Sequence, residues 1–323
     1  MRLLVLLLSV VATASFVDET FLTSSEHNLW SAIQANFRTL NRVTATFVPS
    51  YTPGKWGIAA TTGRFAYGDK KTGFIFSHLL KARKEGRLPS NTITCEAGFN
   101  AGHSATIFLA SFPQGMHYEF SFGLADMGKK NDYEAVNSAL FRNRFFKGRF
   151  EYYLGRTSST LKAFAAEHPG VKCDVVFVDG AKGEAPRRED IFLFREISKP
   201  GAMLFGDEAT TDICMSGNVN RTHKGCTACG TICDGTHMAY NDLVRSGVLR
   251  HEACSAQSSH NRNDLVCLWN FNNSPGSAKV NAAGPFNEQE ITLAIGASQA
   301  VGNEMQAVVN ETVTSRARTS QGR

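Results

Sequence analysis

The residues best suited to chemistry lie in Thr94-Cys95-Glu96-Ala97-Gly98-Phe99-Asn100-Ala101-Gly102-His103-Ser104. An apolar run, Thr92 to Cys95, delivers an acidic side chain and two glycines. An apolar helical pattern follows from Ala105 to Ala110. This order reads as strand, tight glycine turn and helix N-terminus. Such a turn brings backbone close to a ligand and points N–H groups at it. Glu96, at the strand end, is placed to accept hydrogen bonds from a cationic or hydroxyl-bearing ligand.

The elements that must position this turn follow from the hydrophobic pattern. From Asn91 onward strands alternate with helices. Strands are expected over Thr92–Cys95, Met116–Phe122, Phe150–Leu154, Asp174–Val178 and Ala202–Phe205. Helices are expected over Ser104–Phe112, Tyr133–Phe146, Ser158–Glu167 and Arg188–Ile197. Asp174-Val175-Val176-Phe177-Val178 has the β-branched, apolar character of a buried parallel strand. The alternation implies a parallel sheet with right-handed crossovers and helices on both faces. A further helix is expected over Gly235–Ser246. Val248–Cys254 and Leu265–Phe271 then read as two late strands able to pair as a hairpin. Upstream, Leu22, Leu29, Trp30, Ile33, Phe37 and Leu40 mark one helix, and Phe74, Phe76, Leu79 and Leu80 begin another. Together they read as a helical cap over residues 15–90. Residues 274–323 hold few large apolar side chains and read as a polar tail, with a weak helix around 286–309.

Ligands of open parallel sheets bind beyond the carboxyl ends of the strands. The residues standing there are Glu96-x-Gly98-x-x-x-Gly102 after the first strand and Gly123 with Asp126 after the second. Gly155-Arg156-Thr157-Ser158 follows the third strand, Asp179-Gly180-Ala181-Lys182 the fourth and Asp207-Glu208 the fifth. All five sets converge on one edge.

With these residues in place, the run from roughly Asn91 to Phe271 resembles a class I S-adenosylmethionine-dependent methyltransferase. The branch it resembles opens on E-x-G-x-x-x-G-x-S. The resemblance implies an α/β, Rossmann-like doubly wound sheet of seven strands whose last two form an antiparallel hairpin. The catalytic domain would span residues 91–273. It implies that Glu96, Gly98, Asn100, Gly102, Ser104, Asp126, Thr157, Ser158 and Asp179 line the S-adenosylmethionine site. Phe177-Val178-Asp179-Gly180-Ala181-Lys182 is similar to the D-x-x-K segment of cation-dependent O-methyltransferases of the catechol and caffeoyl-CoA type. There the aspartate binds a divalent cation and the lysine is the general base. By that resemblance Asp179, Asp207 and Glu208 form an all-oxygen site suited to Mg²⁺ or Ca²⁺ rather than zinc, and Lys182 deprotonates the acceptor hydroxyl. The sequence departs from the family at the end of the second strand. An acidic residue normally holds the ribose there, whereas this chain has Phe122-Gly123, with Asp126, or Glu119 in another register, as its substitute. The implied acceptor is a small-molecule or glycan hydroxyl. The alternative is a secreted protein that keeps the fold and binds a ligand or partner without catalysis. A nicotinamide dehydrogenase fits less well, because the first motif is not G-x-G-x-x-G.

Composition bounds these readings. A net charge of +5 over 323 residues is modest. The Lys and Arg residues between Lys129 and Arg156 are interleaved with Asp132, Glu134 and Glu151, the pattern of a solvated helix face rather than a nucleic-acid patch. Arg2, the apolar run Leu3 to Val11 and Ala12-Thr13-Ala14 read as a secretory signal peptide over residues 1–14. No later segment is apolar enough to span a bilayer. The eight cysteines suit an oxidising compartment. Cys95 and Cys173 read as buried thiols in core strands. Cys214, Cys226, Cys229, Cys233, Cys254 and Cys267 read as disulfide partners, in preference to half a zinc site at Cys226-x2-Cys229. Sequons at Asn220, Asn272 and Asn310 agree with a secretory route as a glycoprotein.

Overall fold

The computed structural model describes residues 22–47, 70–123, 133–180, 183–209, 236–255, 265–272 and 287–321. The side chains of Lys70, Glu208, Leu265 and residues 316–321 fall outside that description. So do the signal segment, Asp126, Lys182 and the cysteine-rich run 211–235. The elements in chain order are α1 (Ser24–Phe47), α2 (Lys70–Lys84), β1 (Ile93–Ala97), α3 (His103–Ser111), β2 (Met116–Ser121), α4 (Tyr133–Leu140), β3 (Phe150–Leu154), α5 (Thr157–Glu167), β4 (Cys173–Val178), α6 (Glu184–Glu196), β5 (Ser198–Ala209), α7 (Thr236–Arg245), β6 (Leu249–Cys254), β7 (Leu265–Phe271) and α8 (Glu288–Gln321).

The strands form one seven-stranded sheet in the order β3-β2-β1-β4-β5-β7-β6. β1 to β5 are parallel, and β7 runs antiparallel to both β5 and β6. This is the doubly wound sheet with a terminal hairpin expected from the sequence. Alternate residues of a strand face opposite sides. Val175 and Phe177 of β4 therefore join Leu29, Phe76, Ile107 and Ile291 in one core layer, beneath α1, α2, α3 and α8. Val176 and Val178 join Leu161, Phe164, Phe194 and Leu243 in the other, beneath α5, α6 and α7. β4 is buried along its whole length, which is why its sequence is a continuous apolar run. A π-helical turn, Phe141–Phe145, extends α4 and sets Phe141 edge-on to Phe99 at 5.2 Å between ring centroids.

The first disagreement with the sequence reading is chemical. Cys95 and Cys173 are fully buried, as expected, but they are not thiols: they are joined as a disulfide. β1 and β4 are neighbours, and both cysteines lie in the same core layer. Cys254 and Cys267 form a second disulfide, across the β6–β7 pair.

The second disagreement is the C-terminal segment. Residues 288–321 form a 34-residue helix, not a polar tail. Ile291, Ala294, Ser298, Val301, Met305 and Val308 are its buried residues, a spacing of three, four, three, four and three that makes a single stripe. The stripe lies along α1. The Asn36 side-chain amide donates to Ser298 Oγ and to the Ser298 carbonyl, each at 2.9 Å. A Cβ on Gly302 would sit 2.5 Å from Asn36 Oδ1. Small residues are what the helix contact requires, and they are why the segment looks poor in core-forming side chains. Leu29 and Ile33 share a core with Ile291 and Ala294, while Leu40 and Val43 share one with Val301 and Met305. The two helices are therefore parallel.

Both begin with a capping box. Thr23 and Glu26 exchange side chain-to-backbone hydrogen bonds at 2.7 and 3.3 Å, and Asn287 and Glu290 do so at 3.0 and 3.4 Å. The end of α2 then ties down both starts. Lys84 Nζ lies 2.8 Å from Glu26, and Arg83 lies 3.5 Å from Glu290. Met305 is completely buried in this seam. We expect Met305→Ala to lower the unfolding free energy by about 2–5 kcal/mol. Leu293→Ala, at a residue 53% exposed on the same helix, should change it by no more than about 0.5 kcal/mol. Urea titrations of the two variants against the parent chain check both values.

Candidate active site

The turn after β1 is built by backbone packing. Gly98 has φ +107°, and a Cβ there would lie 2.6 Å from the Asp179 carbonyl oxygen. The Gly98 N–H donates to the Phe120 carbonyl at 3.1 Å, and the Asp179 N–H donates to the Ala97 carbonyl at 2.8 Å. The turns after β1 and β4 are thus locked together, with the end of β2 alongside. Asn100 takes a left-handed conformation, φ 51°, which asparagine tolerates better than most residues, and its Oδ1 accepts a hydrogen bond from the Tyr133 hydroxyl. Gly102 (φ 88°) precedes α3. A Cβ there would strike the rings of Phe99 and Phe141, at 2.7 and 2.8 Å.

Ser104, in the first turn of α3, donates its hydroxyl to Glu96 Oε1. Glu96 is fully buried and stands level with Glu119 of β2. His117 lies between the two carboxyls, its Nε2 3.4 Å from an oxygen of each. Its Nδ1 is 2.8 Å from the Thr94 hydroxyl. Burial drives the His117 pKa down to about 3, so the ring is neutral. Burial also pushes Glu96 and Glu119 well above the ordinary carboxyl range; Asp179 raises Glu96 further, and Glu96 and Glu134 raise Glu119. Burial and like-charge repulsion thus disfavour two anions here. Glu119 is therefore an interior residue, not a carboxylate at the strand end.

The carboxylate that does stand at the end of β2 comes from α4. Glu134 is buried and accepts hydrogen bonds from the Ser121 hydroxyl and, at 3.0 Å, from the Tyr152 hydroxyl. Sequence reading missed it because its only signal, an acid in the first turn of a helix, is a common one. Beyond the strand ends, Phe122 is 38% and Leu154 65% exposed, an apolar lip on this edge. The Arg156 guanidinium lies over the Phe122 ring at 5.9 Å. Thr157 donates to Asp190 Oδ1, and Ser158 follows it in the first turn of α5. Asp190 is buried, which raises its pKa to about 6 against the opposing pull of Thr157 and Arg187. Its Oδ2 lies 3.5 Å from where a Cβ on Gly180 would be.

On the other side of β1, Asp179 and Asp207 each lie one residue past the paired Val178 and Gly206 of β4 and β5. Buried Arg187 donates to the Val178 carbonyl and, at 2.9 Å, to the Tyr240 hydroxyl, which donates to the Asp207 carbonyl at 3.2 Å. The Asp207 carboxylate, expected to be a metal ligand, is instead ion-paired with Lys71 of α2 at 2.6 Å. Of the other expected residues here, Lys182 and the Glu208 side chain lie outside the described residues, as does Asp126 on the β2 side. The structure thus brings Gly98, Asn100, Gly102, Thr157, Ser158 and Asp179 to one edge of the sheet, whereas Glu96 and Ser104, expected to line the cofactor, are buried beneath it and bonded to each other. A polar cleft of about 640 Å³ lies at the opposite end, lined by Lys81, Arg87, Arg250 and Glu252 among others.

Residues 95–209, the stretch from β1 to the end of β5, match the family described as a methyltransferase domain. This stretch is a methyltransferase domain. It has the Rossmann-like, class I form implied by its first motif. Among solved structures, the chain is similar to the O-methyltransferase TomG from Streptomyces achromogenes, solved in complex with SAM. That match has 15% identity, 79% of this chain and 94% of that one covered, and a TM-score of 0.47. It is also similar to the O-methyltransferase from Bacillus cereus in complex with SAH, with 12% identity, 78% and 94% coverage and a TM-score of 0.47. A search of curated proteins found no match.

The acid pair beneath the methyltransferase turn has a consequence for stability. A carboxyl whose folded pKa is raised keeps a proton that the unfolded chain gives up above about pH 4.5. Stability from Glu119 is therefore greatest at low pH and falls as pH rises towards the raised pKa. We expect Glu119→Gln to flatten the fall in melting temperature as pH rises above the ordinary carboxyl range, about 4.5. Melts followed by circular dichroism check this, and equal slopes for the variant and the parent chain would refute it.

Proposed function

We propose that the protein transfers a methyl group from S-adenosylmethionine to a hydroxyl of a small molecule or glycan. The observation that carries this reading is the interlocked β1–β4 turn, with a carboxylate and an apolar lip at its side. When bound, S-adenosylmethionine supplies the electrophilic methyl on its sulfonium. The site's donor set suits its other groups. Glu134 offers ribose hydroxyls an acceptor at the end of β2. Phe122 and Leu154 give an adenine ring an apolar surface. The Gly98–Gly102 turn fixes the backbone against which the amino-acid end would lie, and Ser104 holds Glu96 in place beneath it. Lys182 keeps the role the motif gives it, general base for the acceptor proton.

The Mg²⁺ implied by the D-x-x-K resemblance does not fit the residues described. Mg²⁺ needs near-octahedral oxygen ligands at about 2.0–2.1 Å, and Asp207 Oδ1 is already bound by an ammonium, a like charge beside any entering dication. No step of this reading runs through a cation.

Residence in the secretory pathway, secreted or lumenal, is part of the proposal. The signal-like N-terminus and the Cys95–Cys173 and Cys254–Cys267 disulfides support it. The Asn272 and Asn310 sequons add to that support. Among the described residues no helix is long and apolar enough to cross a membrane.

Calorimetric titration of S-adenosylmethionine into protein from a secretory host tests the reading. Micromolar binding, roughly −8 kcal/mol, followed by transfer of labelled methyl to a hydroxyl acceptor is the expected result. A folded protein that binds none would return the choice to a non-catalytic binding module. Glu134→Gln should weaken binding about tenfold or more, the loss of roughly 1.4 kcal/mol, while Ser121 keeps an acceptor. Unchanged affinity would remove Glu134 from the site.

A further inference from the structure

The Lys71–Asp207 pair is placed as no ordinary surface ion pair is. Lys71 is 6% and Asp207 8% exposed, and Nζ and Oδ1 are 2.6 Å apart. The partners come from distant parts of the chain, the start of α2 and the end of β5, so the contact exists only when the helical cap is seated on the sheet. Both sides are held firmly. Phe74, one turn beyond Lys71, packs edge-on to Phe205 of β5 at 6.3 Å. Ile75 and Phe76 are completely buried in the same core layer. On the strand side, a Cβ on Gly206 would lie 2.4 Å from the Tyr240 hydroxyl, and that hydroxyl donates to the Asp207 carbonyl. The Asp207 backbone is therefore fixed at the end of β5.

We propose that Lys71 is the resident cation of this site. Its ammonium neutralises Asp207 in the place where the sequence pattern alone assigns a divalent ion, and the protein accordingly binds no Mg²⁺ between Asp179, Asp207 and Glu208. A lysine ammonium is a compact charge with three donors and no lone pair to offer a metal. While it holds the carboxylate, a dication entering the site meets a like charge at contact distance and finds one oxygen ligand already used. The cap thereby supplies, from within the chain, the positive charge that a metal-binding arrangement would draw from solution. The proposal deepens the methyltransferase reading and rests on it for the meaning of the site, but not for the claim about cations. Lys71 is a positioning residue on this view, acting through Asp207.

Mn²⁺ is the probe, its binding followed by electron paramagnetic resonance, and calorimetry with S-adenosylmethionine runs in parallel without added metal. We expect the parent protein to take up no Mn²⁺ at a carboxylate site and to bind S-adenosylmethionine equally with and without EDTA. Lys71→Gln and Lys71→Met should each gain Mn²⁺ affinity at least tenfold, and adding Asp207→Asn should abolish the gain. Circular dichroism establishes that each variant is folded, and either variant suffices. Parent protein that binds Mn²⁺ and loses it on Asp207→Asn overturns the proposal, and that arm needs no Lys71 variant. A folded Lys71 variant that binds no more Mn²⁺ than the parent overturns it too. Failure of S-adenosylmethionine binding alone would instead strike the methyltransferase reading and leave the Mn²⁺ result to decide the role of Lys71.

Discussion

The site depends on one steric fact: the backbone after β1 touches the backbone after β4. Only a residue without a side chain fits at Gly98, where a Cβ would lie 2.6 Å from the Asp179 carbonyl oxygen, and only a residue tolerant of positive φ could turn there. From that contact the rest follows. The Gly98 N–H reaches across to β2 and the Asp179 N–H reaches back to β1, so three strand ends share one set of hydrogen bonds. The Cys95–Cys173 disulfide joins the same two central strands within the core. Arg187 and Tyr240 extend the lock to β5. A preorganised edge of this kind orders its ligand-facing groups before any ligand arrives, which is what positioning chemistry requires.

The helices outside the methyltransferase domain proper are part of that edge. α2 contributes Lys71 at one end, beside Asp207, and Arg83 and Lys84 at the other, where they meet Glu290 and Glu26. Arg83 also donates to the Ser111 carbonyl at 2.5 Å, at the end of α3. One helix thus joins the site, the helix that follows the glycine turn, and the N-termini of α1 and α8. Acids in the first turn of a helix and cations in the last complement the helix dipoles. Parallel packing of α1 and α8 brings both acidic starts to the same end of the cap, within reach of α2.

Much of the sheet was legible because its physics is local. β3 and β7 were expected at the bounds they have, and the apolar run of β4 announced a strand buried on both faces. The glycine turn was legible for the same reason: Gly98 and Gly102 satisfy conformational demands that few other residues meet. What the sequence hid was whatever depends on partners distant along the chain. Glu134 reaches the end of β2 from a helix, 13 residues after Ser121. Lys71 meets Asp207 across 136 residues, and nothing in its neighbours marks it. The disulfide of Cys95 and Cys173 spans 78 residues. Burial predicted for each cysteine separately was right, but burial says nothing of the other's position. α8 was misread because Ala294, Ser298 and Gly302 alternate with its few larger buried residues along α1, so that closeness as well as bulk provides the packing.

Two buried polar clusters stand on either side of the central strand pair, and they handle charge by opposite means. Glu96, Glu119 and His117 have no cation among them, since the imidazole is neutral, and burial pushes both carboxyls towards the protonated form. Asp207 has Lys71. In the interior, a carboxyl that is neither protonated nor paired is too costly to keep. Removing one partner of such a buried pair typically costs about 3–5 kcal/mol, because it strands the other's charge. The cap helix is therefore bound to the sheet by the same ammonium that settles the charge of the β5 end. A chain that drew this charge from a dissociable ion could fold its cap and fill its site independently. In this one, seating α2 completes the electrostatics of the edge and the packing of the core together.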